Sequence, residues 1–240
     1  MKAFQFNTTP GIRFGSDYSV GTAEEVSKKL GNKILFVTDP GLVKFGLHEK
    51  TITELQKYSE ILIFDNVEAD PSIKTLMSCV QQGRDFDATG VIGFGGGSSM
   101  DVSKLTALLI GSNENIHEAW GVANAKGPRL PLALYPTTSG TGSEVTPISI
   151  ITQEDLEKKG VSSPIILPDL AILDPSLTLG LPPHITAATG IDALVHAIES
   201  YASKSVNNNL ISQTLAKEAL KLLGSSIRQA VINGKDIEAR

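Results

Sequence analysis

The 240-residue sequence is poor in the residues that usually announce a special chemistry: one cysteine, one tryptophan, three methionines and four histidines. Cys79 has no second cysteine to pair with, which excludes an internal disulfide and suits a reducing compartment. No run of 18 apolar residues occurs, and the first residues, Met1 to Asn7, form no apolar leader core. Neither secretion nor membrane insertion is therefore expected, and the cytoplasm is the expected location. An excess of basic charge is also missing. The formal net charge is −5, and no Lys/Arg run is long enough to follow a phosphate backbone, so nucleic acid is not an expected partner. Charged residues are only 20% of the chain and apolar ones 41%, a globular composition with ample length for a core. The four histidines are His48, His117, His184 and His196, and none follows His196.

What is present is an alternation of short apolar runs with amphipathic stretches. Lys33–Asp39, Ile61–Asp65, Thr89–Phe94 and Leu132–Tyr135 are continuous apolar segments bounded by Gly, Asn or Pro, the pattern of strands buried on both faces. Helical spacing falls between them, over about 22–30, 47–57, 71–83 and 98–110. Asp70-Pro71-Ser72 reads as an N-cap followed by Pro at the first helical position. Strands separated by helices imply βαβ units and an α/β fold with a parallel sheet. Two more strands are expected at Ile148–Ile151 and Leu170–Leu173, with Glu157-Lys158-Lys159-Gly160 as a polar turn between them. After Pro182-Pro183 the pattern turns helical, over 184–203 and 207–223, with 225–232 as the start of a further helix. The expected organisation is an α/β domain over 1–179 and a partial all-helical domain over 180–240. No internal repeat or low-complexity tract interrupts it.

Three motifs carry chemistry. Gly93-Phe94-Gly95-Gly96-Gly97-Ser98-Ser99-Met100-Asp101 follows a strand and opens a helix. Glycines admit a ligand close to the backbone, and the helix start offers free N–H groups to an anion such as a pyrophosphate. Asp39, at the end of its strand, is placed to accept hydrogen bonds from both ribose hydroxyls of an adenosine and to repel a 2′-phosphate, which favours NAD over NADP. A plain Asp-Pro-Gly turn is the competing explanation for the same residues. Thr137 to Glu144 packs five hydroxyls and two glycines into eight residues, a loop able to line a cofactor. Asp192 and His196 are i and i+4 on one helix face, where a carboxylate oxygen and an imidazole nitrogen meet one divalent ion; Zn²⁺, Fe²⁺ or Mn²⁺ suits such donors. An ordinary Asp–His ion pair has the same spacing. His184 is expected to cap or pack the start of that helix, and His48 and His117 to lie on helix surfaces or loops.

Taken in order, these motifs resemble the iron-containing (group III) alcohol dehydrogenases, relatives of glycerol dehydrogenase and dehydroquinate synthase. The resemblance rests on Phe6 to Gly15, on Gly95-Gly96-Gly97-Ser98 with Asp101 and Lys104, and on Pro136 to Glu144. It continues through Ala171-Ile172-Leu173-Asp174-Pro175 and Gly190 to Glu199. It implies a dinucleotide-binding α/β domain, a helical domain, and a metal and nicotinamide in the cleft between. Asp39 would meet the adenosine ribose. Gly96, Gly97 and Ser98 would hold the pyrophosphate, and Thr137, Thr138 and Thr141 would line the phosphate and nicotinamide side. Lys159 corresponds to a family lysine near the cofactor ribose. Asp192 and His196 correspond to the first two metal ligands, with Fe²⁺ the expected ion and Zn²⁺ the alternative, and no catalytic side chain is expected beyond them.

The implied activity is hydride transfer between NAD(H) and a primary or secondary alcohol or aldehyde, in a homo-oligomer. The family supplies two further histidines from later helices. A C-terminally truncated form is therefore expected, with apolar faces exposed around Leu215, Leu222 and Leu223. Two other functions compete: an NAD-binding remnant without catalysis, and phosphate elimination from a sugar acid. The latter needs a basic cluster where only the scattered Lys204, Lys217, Lys221 and Arg228 occur.

Overall fold

The computed structural model describes residues 3–240. The chain divides into two compact units. The larger comprises Thr8–Thr137 and Ser143–Asp174. The smaller comprises the segment ending at Asn7, the loop Thr138–Gly142 and Pro175–Arg240.

In the larger unit the order is β1 (Gly11–Phe14), α1 (Tyr18–Gly21), α2 (Ala23–Leu30), β2 (Lys33–Val37), α3 (Pro40–Lys44), α4 (Glu49–Leu55), β3 (Glu60–Phe64), α5 (Ile73–Asp85), β4 (Gly90–Gly95) and α6 (Gly97–Ser112). After these come α7 (Ile116–Ala119), β5 (Gly121–Val122), β6 (Leu132–Pro136), β7 (Ile148–Thr152), β8 (Lys158–Ser162) and β9 (Leu170–Leu173). Six strands form one wholly parallel sheet in the order β1-β9-β6-β4-β2-β3. This is the α/β fold with a parallel sheet that the buried apolar runs imply. β2 and β3 pair in register from Lys33↔Glu60 to Val37↔Phe64, and β4 then returns to the other side of β2. The order of the sheet therefore reverses at β2, and the crevice outside the carboxyl ends of β2 and β4 is where such sheets take ligands. The core beneath it joins Leu35 and Val37 of β2 to Val91 of β4, Leu134 of β6 and the inner face of α6 through Met100, Val102, Leu105 and Leu108.

Three local features differ from the sequence expectations. α5 is capped by Ser72, whose Oγ accepts from the Thr75 N–H at 3.2 Å, while Asp70 adopts a left-handed backbone (φ 54°). Asp70 and Pro71 thus precede the helix, and Glu68 braces the true cap by accepting from the Ser72 N–H and the Thr75 hydroxyl. Lys158-Lys159-Gly160 is not a turn but part of β8. That strand pairs antiparallel with β7 (Ile151↔Lys159) in a separate three-stranded sheet, β5-β8-β7. The polar side chains lie on an exposed surface while the ladder satisfies the backbone. His48 is buried at the start of α4 rather than lying on a helix surface, whereas His117 is exposed on α7.

In the smaller unit, α8 (Pro183–Ala202) and α9 (Leu210–Ile232) pack together through small buried residues, among them Ala197, Ala216 and Ala230. Asn209 caps α9 in a reciprocal box with Ser212. α9 runs unbroken from Leu210 to Ile232, although the sequence pattern breaks at Gly224 between 207–223 and 225–232. A helical Gly costs about 1 kcal/mol relative to Ala, which a long packed helix absorbs in the absence of proline. Leu215 and Leu222 are exposed on α9. Among the described residues no helix is long and apolar enough to cross a membrane.

Candidate functional site

The crevice at the β2–β4 switch point holds two of the sequence motifs together. β2 delivers Asp39, and β4 delivers the glycine turn. Asp39 caps α3: its Oδ1 accepts from the Gly41 N–H at 2.9 Å and the Leu42 N–H at 3.1 Å. The turn reading and the binding reading are thus compatible, because Oδ2 is left for a ligand. Gly95 turns the chain toward α6 with φ 152°, a conformation that L side chains rarely adopt. A Cβ at Gly95 would stand 2.7 Å from Ser99 Oγ and 3.4 Å from Asp39 Oδ2, so the absence of a side chain keeps the carboxylate and the helix start within reach of one ligand. α6 begins at Gly97 with Gly96 as its N-cap, and no side chain caps it. Its first N–H groups remain for an anion. Gly96, Gly97 and Ser98 are partly exposed there, and Ser99 is buried behind them. An acceptor pair for ribose hydroxyls beside donors for phosphate matches the chemistry of a dinucleotide, so these residues fit NAD.

Thr137 borders the same turn: its N–H donates to the Gly95 carbonyl at 3.0 Å. The rest of the hydroxyl loop, with Thr138 and Thr141, belongs to the smaller unit. There Gly140 lies flat against α8, where a Cβ would stand 2.9 Å from Thr189 Cβ. Lys159 projects from β8 in the second sheet, 3.5 Å from Glu157 Oε2.

Beneath the glycine turn lies a buried cluster. Lys104, on α6, has no exposed surface, and its ammonium donates to Ser143 Oγ (2.7 Å), the Thr146 carbonyl (3.0 Å) and the Ile148 carbonyl (2.7 Å). Ser143 in turn donates to Asp101 Oδ1 at 2.6 Å, and Asp101 Oδ2 accepts from the Ile150 N–H at 2.9 Å. Burial pushes the Lys104 ammonium down to about 8, against the opposing pull of the Asp101 and Glu144 carboxylates. Burial also raises the Glu144 carboxyl above its ordinary range. Asp101 and Lys104 stand in the motif that carries the resemblance, but spacing alone assigns them no task. The available signal is a lysine set among the apolar Val102, Leu105, Leu108 and Leu109.

In the smaller unit, α8 places Asp192 and His196 on one face. His196 Nε2 lies 3.6 Å from Asp192 Oδ1, and the two side chains are 53% and 44% exposed, respectively. Oxygen and nitrogen donors bonded to one ion at about 2.0–2.2 Å stand roughly 3–3.6 Å apart, so this pair fits a divalent cation. Among the described residues no group of three or more His, Cys, Asp or Glu side chains gathers around a common point. His184 is exposed in the first turn of α8, and the N-cap, Pro182, has no side-chain cap.

A parallel α/β unit whose glycine turn at the switch point fits a dinucleotide, together with a helical unit whose carboxylate–imidazole pair fits a divalent ion, sets the chain in the open, doubly wound α/β class. The chain belongs to the iron-containing alcohol dehydrogenase family: the model for iron-containing alcohol dehydrogenase matches residues 9–175, and that for the C-terminal part of the Fe-containing alcohol dehydrogenase family matches 186–240. It is 39% identical over 241 residues to a sulfoacetaldehyde reductase of Bilophila wadsworthia, a match covering 99% of this chain and 62% of that protein. To long-chain-alcohol dehydrogenase 1 of Geobacillus thermodenitrificans it is 44% identical over 218 residues, covering 89% of this chain and 54% of the relative. The crystal structure of sulfoacetaldehyde reductase from Bifidobacterium kashiwanohense, in complex with NAD⁺, superposes with a TM-score of 0.91 at 31% identity, covering all of this chain and 63% of that one. The chain thus spans less than two thirds of the length of these relatives.

Proposed function

We propose that this chain supplies the cofactor site and two metal donors of an oxidoreductase that moves hydride between NAD(H) and a primary or secondary alcohol or aldehyde. The observation that carries this is the switch-point crevice, where Asp39 Oδ2 and the uncapped start of α6 face one place across Gly95. Asp39 takes the adenosine ribose through its free oxygen. The N–H groups of Gly96, Gly97 and Ser98 take the pyrophosphate. Thr137, Thr138 and Thr141 line the phosphate and nicotinamide side, and Lys159 serves the cofactor ribose. Asp192 and His196 hold the divalent ion, Fe²⁺ by the family's name and Zn²⁺ by equal suitability of the donors. When bound, the nicotinamide supplies the hydride acceptor and the ion the Lewis acidity that eases deprotonation of an alcohol. The relatives' names span sulfoacetaldehyde and long-chain alcohols, so the substrate is proposed as a class. A homo-oligomer in the cytoplasm completes the proposal, the latter supported by the lone, buried Cys79.

The test is a fluorescence titration of the 240-residue chain with NADH and NADPH, beside metal analysis and turnover of ethanol, propanediol and butanol. NADH binds and NADPH binds more weakly. Asp39→Asn keeps an acceptor for the α3 cap but loses the charge. It weakens NADH about tenfold, as expected for a hydrogen bond to a charged group, and narrows the preference over NADPH. A wild-type chain that binds neither nucleotide overturns the proposal.

A further inference from the structure

One buried ionic arrangement in the larger unit takes no part in the proposed cofactor site. Lys104 is a lysine with no solvent exposure, on a helix where Val102, Leu105 and Leu108 beside it are apolar and buried. Burying an ammonium is expensive unless every donor is met. Here all three are: by Ser143 Oγ, the Thr146 carbonyl and the Ile148 carbonyl. None of these acceptors lies on α6. All belong to the segment by which the chain returns from the hydroxyl loop. The same segment is tied a second time through Ser143 to Asp101, and a third time by the Thr9 hydroxyl, which donates to the Glu144 carbonyl at 2.8 Å.

The outgoing end of the loop is held too, by the Thr137 N–H on the Gly95 carbonyl. Both anchors therefore trace to the β4–α6 segment that forms the phosphate turn. Lys104 is seven residues beyond Gly97, about 10 Å along the helix, so α6 carries the turn at its start and the clamp two turns further on.

We propose that Lys104 is a positioning residue: its ammonium fastens the returning end of the loop Thr137–Glu144 to the helix that begins at the phosphate turn, setting the loop for the nicotinamide half of the cofactor. Two carboxylates face the ammonium, Asp101 from its own helix and Glu144 from the loop. Both keep the charged form in place. This rests on the proposed cofactor site, and in particular on the loop serving the nicotinamide side.

The experiment compares NADH with ADP-ribose, which lacks the nicotinamide, by titration on the full chain, with circular-dichroism melting of every variant. Wild type binds both. Lys104→Met, which keeps length and loses all three donors, weakens NADH about tenfold while ADP-ribose stays within about twofold. Ser143→Ala removes one acceptor and the bridge to Asp101; it shows the same selectivity at about threefold and carries the test if Lys104→Met fails to fold. Equal weakening of both ligands, tracking the melting temperature, overturns the inference by reducing Lys104 to general stability. Unchanged binding of both in a folded variant overturns it as well. A wild type that binds ADP-ribose and NADH equally tightly removes the loop's assigned role and this inference with it, and leaves the adenosine and phosphate site standing. A wild type that binds neither is the separate failure of the cofactor reading.

Discussion

The two units hold their chemistry in different ways. In the larger one every candidate group at the switch point is fixed from behind. Asp39 is tied to α3 by its own cap, Gly95 is tied to Thr137, and α6 is clamped by Lys104 to a loop about forty residues away in sequence. In the smaller one Asp192 and His196 owe their proximity to helical periodicity alone and are about half exposed. The larger unit holds the proposed cofactor groups by hydrogen bonds that form without a ligand. The smaller offers a pair of donors whose spacing suits an ion and whose side chains are about half open to solvent. Pre-organisation lowers the cost of binding, so the nucleotide is expected to bind well and an ion to bind weakly, since affinity follows ligand number and geometry.

The comparison is broken most severely through the core. Leu134 on β6 has no exposed surface and packs among the strands and α6. Leu134→Ala removes its buried methyl groups and leaves a cavity, at an expected cost of about 2–5 kcal/mol. Urea unfolding followed by circular dichroism measures it, and a loss below about 1 kcal/mol would show that the larger unit is packed less rigidly than its buried strands imply.

A smaller effect is expected from the half-buried ionic support. Asp169, just before β9, accepts from Arg129 at 2.6 Å and from the Leu132 N–H at 2.9 Å, with Lys29 at 3.7 Å. Burial alone would raise its carboxyl, but these donors outweigh it and hold the group below the ordinary carboxylate range. Since the native value is the lower one, the stabilisation is complete above the unfolded value of about 3.9 and is lost as pH falls through the native one. Asp169→Asn keeps an acceptor for Leu132 but strips Arg129 of its counter-charge. It costs about 1–3 kcal/mol at neutral pH, and its gap to wild type narrows as pH falls below about 4 in acid-unfolding curves. A gap that stays constant as pH falls would assign the loss to packing instead of charge.

The contrast between the units also explains what was legible in the amino-acid order. The sheet was legible wherever a strand is buried on both faces, as in Lys33–Val37 and Gly90–Gly95, because burial writes a continuous apolar run. β1, at the sheet edge with alternating exposure, and the two-residue β5 write almost none, and β8 hides behind its lysines. The glycine turn was legible because a run of three glycines after an apolar stretch marks where a strand gives way to a helix. The Lys104 clamp was not, because its acceptors lie some forty residues away and two of them are backbone carbonyls, which no side-chain pattern records. The Asp192–His196 pair was legible for the opposite reason: it is local, and a helix brings i and i+4 together whatever surrounds it.

The smallest expected effect on stability lies on α9. Ile211, Leu215 and Leu222 recur at spacings of four and seven, which puts them on one helical stripe, and Leu222 is 60% exposed. An apolar side chain already in water loses little burial when truncated, so Leu222→Ser is expected to change unfolding free energy by no more than about 0.5 kcal/mol. Contiguous exposed apolar surface does drive association, however. The same substitution should therefore raise the concentration at which the chain self-associates in sedimentation velocity, with the melting curve of the dilute protein unchanged. The pairing of outcomes matters more than either alone. Leu134→Ala should move stability far more than association, and Leu222→Ser the reverse. If Leu222→Ser instead destabilised the dilute chain by 2 kcal/mol or more, on the order of a core truncation, the stripe would be part of a packed core, and the division between a pre-ordered unit and a solvent-facing one would fall.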